Sequence, residues 1–272
     1  MHIVVCGAGY TGGRVVESLP TGTTTALGRT TVDLDNPQVA VPSLPVPWSL
    51  LYTVPPAPGA ENDERLERFL NALATPPCRI VYLSTSGVYG DRQGGVVTEQ
   101  DSPTPLTARA KRRLAAEKYL STWCDDHDCE RVVLRVPAIY GPGRLGLERI
   151  RAATPIVRAD EAAPGNRIHV DDLASCCLRA LDAATVPGVY NLGDGDHRSS
   201  SWFATTVADI AGLTAPPEIP MAEASRTFSE SRLSFLQESR RLDTSKMREV
   251  LGVVPRYEDA TDGIRASLKE DA

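Results

Sequence analysis

The sequence predicts an α/β protein built on a doubly wound parallel sheet, with a smaller C-terminal unit packed over one sheet edge. Three observations carry that expectation. Short strand-like runs, apolar or rich in β-branched residues, recur at 3–6, 24–27, 50–54, 79–84 and 131–136. Runs that are apolar throughout, rather than alternating, belong to strands covered on both faces. Helical patterns separate several of them, at 12–19, 61–74 and 107–124, and a parallel pair needs such a crossover. Finally, 272 residues with 42% hydrophobic and 24% charged side chains suffice for a real core in an ordinary globular balance.

The elements follow in order. Residues 3–6 form a buried strand that runs into Gly7, and the segment 12–19 is helical through Val15, Val16 and Leu19 until Pro20 closes it. Thr24 to Leu27 completes a βαβ beginning in under thirty residues. The next crossover is short: about 22 residues with Pro37, Pro42, Pro45 and Pro47 separate Leu27 from the apolar run at Leu50. A helix is expected to be missing there, with Val32-Asp33-Leu34 left as a remnant strand. Pro55-Pro56 ends the Leu50 strand, and Leu66, Phe69, Leu70 and Leu73 mark the next helix before Pro76-Pro77. A strand at 79–84, a long helix at 107–124 and a strand at 131–136 ending on Pro137 continue the alternation. Beyond Tyr140 it weakens: a helix at 171–184, a late strand at 189–192, a helix at 202–211, a polar stretch at 225–239, and short helices near 244–251 and 257–268.

With 29 basic and 35 acidic side chains the formal charge is -6, which gives no electrostatic reason to expect nucleic acid or an anionic membrane surface. No stretch approaches the roughly 20 apolar residues of a membrane span. The start enters a strand directly, so a cytoplasmic address is expected. The six cysteines lack CxxC spacing, reduced thiols are expected, and the four scattered histidines show no metal-ligand spacing.

Gly7-Ala8-Gly9-Tyr10-Thr11-Gly12 places glycines at the first, third and sixth positions between a strand and a helix. Gly7 permits a tight turn, Gly9 lets the backbone approach a pyrophosphate, and Gly12 allows close contact between helix and strand. Free N–H groups of the first helical turn, from Tyr10 and Thr11 onward, and the helix dipole then favour phosphate charge. A nicotinamide dinucleotide is the expected occupant. After the second strand Leu27-Gly28-Arg29-Thr30 offers a cation, which suits a 2′-phosphate and gives NADP preference. Asp33 or Asp35 could reach a ribose hydroxyl instead, which keeps NAD open.

Two further signatures follow strands: Ser84-Thr85-Ser86-Gly87-Val88-Tyr89-Gly90 and Arg135-Val136-Pro137-Ala138-Ile139-Tyr140-Gly141-Pro142-Gly143. With Arg167-Ile168-His169-Val170-Asp171-Asp172 and Tyr190-Asn191-Leu192-Gly193, they resemble the extended short-chain dehydrogenase/reductases, in particular the atypical branch of the NAD-dependent epimerase/dehydratase-like family. The resemblance implies a Rossmann-like sheet from 1–140 and about 168–192, and a smaller substrate domain from about 141–167 and 193–272. It implies Thr85 as the hydroxyl beside the reacting carbon, Pro137 against the nicotinamide, and Lys111 on the cofactor ribose. Pro55 is expected to wall the cofactor or merely to end its strand.

Members that turn over carry Tyr-x-x-x-Lys on the long helix, and this chain reads Thr107-Ala108-Arg109-Ala110-Lys111. Threonine is a far poorer acid or base near neutral pH, so Tyr89, Tyr140, His169 or a water must take its place for catalysis. Arg144 and Arg167 are candidates for an anionic substrate, and a structural hydrogen bond is the plainer role of His169. The expectation is therefore an NAD(P)-dependent oxidoreductase acting on a small alcohol, carbonyl or sugar-nucleotide-like molecule, as monomer or homodimer. The alternative is a dinucleotide-responsive protein without turnover.

Overall fold

The computed structural model describes residues 1–236 and 238–271. In chain order the elements are β1 (His2–Cys6), α1 (Tyr10–Glu17), β2 (Thr24–Leu27), β3 (Trp48–Tyr52), α2 (Glu64–Asn71), β4 (Arg79–Thr85), a 3₁₀ turn (Ser86–Tyr89) and β5 (Val96–Val97). There follow α3 (Ala108–Asp126), β6 (Glu130–Val136), β7 (Ala138–Tyr140), α4 (Leu147–Arg151), β8 (Ile156–Val157), β9 (Arg167–His169), α5 (Val170–Leu181) and β10 (Gly188–Asn191). The tail adds α6 (Ser200–Ile210), β11 (Glu218–Ile219), α7 (Met221–Thr227), α8 (Glu230–Leu236), β12 (Arg241–Leu242), α9 (Ser245–Glu249) and α10 (Ala260–Glu270).

Six strands form one parallel sheet in the order β10-β6-β4-β3-β1-β2. Successive side chains of a strand point to opposite faces, and both faces are apolar here. Val5, Leu51, Val81 and Leu134 pack against Val15, Leu173 and Cys177 on one side. Val4, Leu50, Ile80 and Val133 pack against Leu66, Phe69, Leu120 and Trp123 on the other. The Rossmann-like sheet with helices on both faces is thus what the continuous apolar runs demanded.

The crossover between β2 and β3 contains no helix among residues 28–47, as its prolines implied. Val32-Asp33-Leu34 is not a strand, which corrects the expectation of a remnant: Val32 and Leu34 are buried from a turn and join the core beside Trp48 and Tyr52. Burial of two apolar side chains suffices to anchor that loop without a ladder partner. The polar stretch at 225–239 holds the end of α7 and all of α8.

A separate apolar cluster of Tyr140, Leu145, Ile150, Val207, Ala208, Ala260 and Ile264 holds α4, α6 and α10 together over the carboxyl side of the sheet. The tail does not stay in that unit. β12 pairs with β5, and Met247, Leu251 and Val253 enter the core under α5. No described helix is long and apolar enough to cross a membrane.

Candidate functional site

β1 has β2 on one side and β3 on the other, so the strand order reverses at β1. In such sheets the crevice outside the strand carboxyl ends at the reversal is where ligands sit. Here it is a cleft of about 570 Å³ lined by the turn from Gly7 to Thr11, by Arg29, by Thr53, Val54 and Pro55 after β3, and by Arg113.

The three glycines of the turn do different work. At Gly7 φ is +98°, and an added Cβ would lie 2.5 Å from Thr53 Oγ1 and 2.9 Å from Val54 Cγ2. At Gly12 it would strike the Gly7 carbonyl oxygen and lie 3.1 Å from Val5 Cγ1. At Gly9 it would meet nothing within 4 Å. Gly7 and Gly12 therefore serve close packing of the chain on itself, whereas Gly9 opens onto the cleft. The turn is fixed by Gly7 N–H to Leu27 O at 2.8 Å and by Thr53 Oγ1 donating to Gly7 O at 2.5 Å. The first N–H groups of α1 have no partner within the helix. Tyr10 donates from its hydroxyl to Pro142 O at 2.9 Å, and burial pushes that phenol up to about 12. Thr11 is buried beneath the turn.

At the β2 end, Arg29 is exposed on the cleft wall and forms no hydrogen bond or ion pair among the described residues. Both acidic candidates face the same wall, but each is engaged. Arg65 binds Asp35 through two hydrogen bonds of 2.7 Å, which hold the carboxyl below its usual range. Asp33 accepts from the Asp35 N–H at 3.1 Å.

A second cleft of about 500 Å³ adjoins the first, and Ile139 and Arg144 line both. Thr85 and Pro137 stand in its wall. The Thr85 oxygen accepts from Gly87 N–H at 3.2 Å, which leaves the hydroxyl proton free to be donated into the cleft. The cleft carries Arg109, Arg144, Arg149, Arg167, Arg232 and Arg240, against Glu238 as the one carboxylate lining it among the described residues. Glu238 is 6% exposed at its side chain and pairs with Arg240 at 3.0 Å through Oε2, while Oε1 is buried with no hydrogen bond among the described residues. Arg240 also donates to Gly90 O at 2.6 Å, tying Glu238 to the end of the Thr85 motif. Arg109 lies 4.0 Å over the Phe235 ring.

Lys111, expected on the cofactor ribose, lies away from both clefts. It is exposed on α3 and lines neither cleft, because that helix buries the face carrying Ala110, Ala116, Glu117 and Leu120 and turns Lys111 outward. Thr107 caps the helix, accepting from Ala110 N–H at 3.2 Å. The cation that α3 presents to the first cleft is Arg113, which donates to Tyr82 Oη at 3.0 Å and Val54 O at 3.4 Å.

Among the substitutes considered for the missing tyrosine, Tyr89 is buried and donates to Asn191 Oδ1 at 2.7 Å. Tyr140 lines the second cleft, but a Cβ on Gly263 of α10 would collide with its hydroxyl, and burial raises the phenol well above its ordinary range. His169 caps α5 and bonds Ser267 Oγ at 3.1 Å, and burial lowers its pKa, so it is a neutral structural group. Arg167 is buried and committed to Asp196 at 3.3 Å, whereas Arg144 is exposed and lies 3.9 Å over the Tyr10 ring. Behind the second cleft Asp194 is buried with Oδ2 lacking a hydrogen bond among the described residues, and burial pushes its carboxyl up to about 7. No group of three or more His, Cys, Asp or Glu side chains among the described residues is arranged to hold a metal.

Sequence reading missed Thr53, Arg65, Arg113 and Glu238. The first three follow strands or sit on helices as ordinary polar residues, and Glu238 comes beside the Gly90 end of the Thr85 motif only through the distant pairing of β12 with β5.

The model of the NAD dependent epimerase/dehydratase family matches residues 61–193. The chain is 29% identical over 192 residues to a UDP-glucose 4-epimerase of Mycolicibacterium smegmatis, an overlap of 65% of this chain and 57% of that protein. It spans little more than half the length of the curated relatives it matches. Among solved structures, a functionally unknown conserved protein from Silicibacter pomeroyi DSS superposes with a TM-score of 0.82 at 26% identity, covering 99% of this chain and 98% of the other. RMD from Pseudomonas aeruginosa, complexed with NADPH, superposes with a TM-score of 0.76 at 18% identity over 99% of both chains, which speaks for the fold.

Proposed function

Because this chain is a relative of the NAD dependent epimerase/dehydratase family, we propose that it is an NAD(P)-dependent oxidoreductase acting on a sugar-nucleotide-like alcohol or carbonyl. The observation that carries this reading is the pair of adjoining clefts. The open Gly9 turn and the Thr85 hydroxyl line two spaces that share Ile139 and Arg144.

The residues present fit a dinucleotide. An unobstructed glycine and the free N–H groups of α1 receive the diphosphate, and Arg29, exposed on the same wall and unpaired among the described residues, supports a 2′-phosphate contact and so NADP over NAD. Asp35 is held by Arg65 and so is withdrawn from competing for a ribose. Nicotinamide, when bound, supplies hydride acceptance or donation. In the second cleft, Thr85 donates a hydrogen bond to the reacting oxygen. Glu238, in the same wall, is the candidate base for the substrate hydroxyl proton, the work that Thr107 cannot do. Arg240 fixes that carboxylate, and Arg144, Arg149 and Arg232 offer charge to substrate phosphates.

The second reading, a dinucleotide-binding protein without turnover, is favoured by one specific observation: the Thr107 hydroxyl is spent on a helix cap and Lys111 faces solvent. Calorimetric titration with NADPH and NADH, followed by single-turnover absorbance at the nicotinamide band over a panel of UDP- and ADP-sugars and simple carbonyls, separates the two. The proposal expects binding, Arg29→Ala losing about tenfold or more for NADPH and little for NADH, and turnover that Glu238→Gln abolishes. Binding without any turnover supports the second reading. Affinity for neither nucleotide overturns both.

A further inference from the structure

We propose that Cys124 and Cys129 form an oxidisable dithiol, closed to a disulfide by peroxide, at the end of the sheet opposite the two clefts. The geometry comes from how α3 stops. His127 is its C-cap, Asp128 follows at φ +50°, and Cys129 N–H bonds Cys124 O at 3.0 Å. That is the six-to-one closure of a left-handed helix terminus, which brings the side chains at C3 and C″ into contact. Both positions hold cysteine here, so the closure sets the two sulfurs side by side, and the Cys129 thiol donates to Glu130 O at 3.5 Å. Between them lie four residues, so the pair is preassembled by local backbone rather than by tertiary chance.

The remaining thiols separate into two kinds. Cys6, Cys176 and Cys177 are buried in the apolar core, and burial pushes Cys6 and Cys177 up to about 12, which keeps them protonated and inert. Cys78 is exposed and sits beside Cys129: Glu130 N–H bonds Cys78 O at 3.0 Å, in continuation of the Arg79 to Glu130 register. Within the pair, Cys124 is the more acidic sulfur, lowered by the Cys129 side chain beside it and by Arg131, while Cys124 and burial raise Cys129. Cys129 is half-buried and Cys124 buried, so solvent reaches the pair at Cys129.

The chemistry balances with hydrogen peroxide as oxidant. Peroxide enters at the Cys129 side; its O–O bond breaks as an S–O bond forms on Cys124, the more acidic sulfur, and one water leaves. The Cys129 sulfur then attacks the Cys124 sulfur; the S–S bond forms, the S–O bond breaks, and hydroxide departs with the Cys129 proton as a second water. Two thiols are oxidised by two electrons and one peroxide is reduced. None of this rests on the functional reading above.

Trypsin cutting after Lys118 and Arg131 leaves both cysteines in one peptide, residues 119–131, so mass spectrometry after brief peroxide and alkylation reads the bond directly. The expected product is that peptide lighter by two hydrogens, blocked to alkylation, and restored by dithiothreitol. It forms at least about tenfold faster in folded chain than in urea, persists in Cys78→Ser, and is absent in Cys129→Ser. Free alkylation of Cys124 and Cys129 while Cys78 is oxidised, a link from Cys78 to Cys129, or equal rates in folded and unfolded chain would each overturn the proposal. Circular dichroism of Cys129→Ser confirms that its negative result comes from a folded protein.

Discussion

Replacing Gly9 and Gly12 by alanine, one at a time, distinguishes a phosphate cradle from a turn that only shapes the sheet. At Gly9 an added Cβ meets nothing within 4 Å, so no neighbour has to move. With φ −87° and ψ −143° the backbone lies outside the regions L-residues favour, and holding alanine there costs about 1–2 kcal/mol. Gly9→Ala should therefore melt about 2–8 °C below wild type, at roughly 2–4 °C per kcal/mol. At Gly12 the same methyl strikes the Gly7 carbonyl oxygen and crowds Val5. Backbone must move, overpacking costs about 3 kcal/mol, and the midpoint should fall by about 6–12 °C. Binding inverts the comparison, because the Gly9 methyl stands where a diphosphate must approach. Losing two charge-assisted hydrogen bonds of about 1.5 kcal/mol each raises Kd for NADPH about 100-fold in a protein that is otherwise intact. Differential scanning fluorimetry and isothermal calorimetry on the same preparations read both quantities. A Gly9→Ala protein that binds NADPH within twofold of wild type would refute the reasoning.

Three other outcomes follow from the geometry. Arg113→Ala should weaken NADPH binding tenfold or more while Lys111→Ala stays within twofold, since only Arg113 lines the first cleft; the reverse order restores the expected ribose role of Lys111. Asp194, pushed up to about 7 by burial, holds a proton in the folded state that the unfolded chain releases near its ordinary value of 3.8. Between about pH 4 and 7 the folded state binds more protons, so stability falls as pH rises, by about 1–3 kcal/mol in total. Asp194→Asn should flatten that slope in urea titrations and be the more stable protein at pH 8, and an unchanged slope removes Asp194 as its source. Glu117 pairs with Arg135 at 2.7 Å, both nearly buried, and receives the Ser84 hydroxyl. Glu117→Gln strands the Arg135 charge and should cost about 3–5 kcal/mol in urea unfolding; a cost below about 1 kcal/mol means that water already reaches the guanidinium.

What could be read directly was what local chemistry dictates. Residues 3–6 and 132–134 are apolar throughout because their strands lie inside the sheet, and the three glycines sit where a strand becomes a helix. The missing crossover helix was visible in Pro37, Pro42, Pro45 and Pro47. Side-chain direction was less accessible. Lys111 was assigned by its spacing from Thr107, yet the direction it faces is set by which side of α3 is buried, and that depends on the sheet beneath it. Val32 and Leu34 show the same limit: their apolarity signalled burial correctly, but burial does not require a strand. Glu238 lay beyond local inference altogether, since only the long-range alignment of β12 with β5 brings it to the residues after β4.

Arg144 belongs to both clefts and rests on the Tyr10 ring without a salt bridge among the described residues. A guanidinium so placed can turn toward only one anion at a time. Whatever fills the first space alters the charge offered to the second, and thermodynamic reciprocity requires the converse by an equal factor. Anions filling both spaces would therefore have affinities coupled through this one side chain.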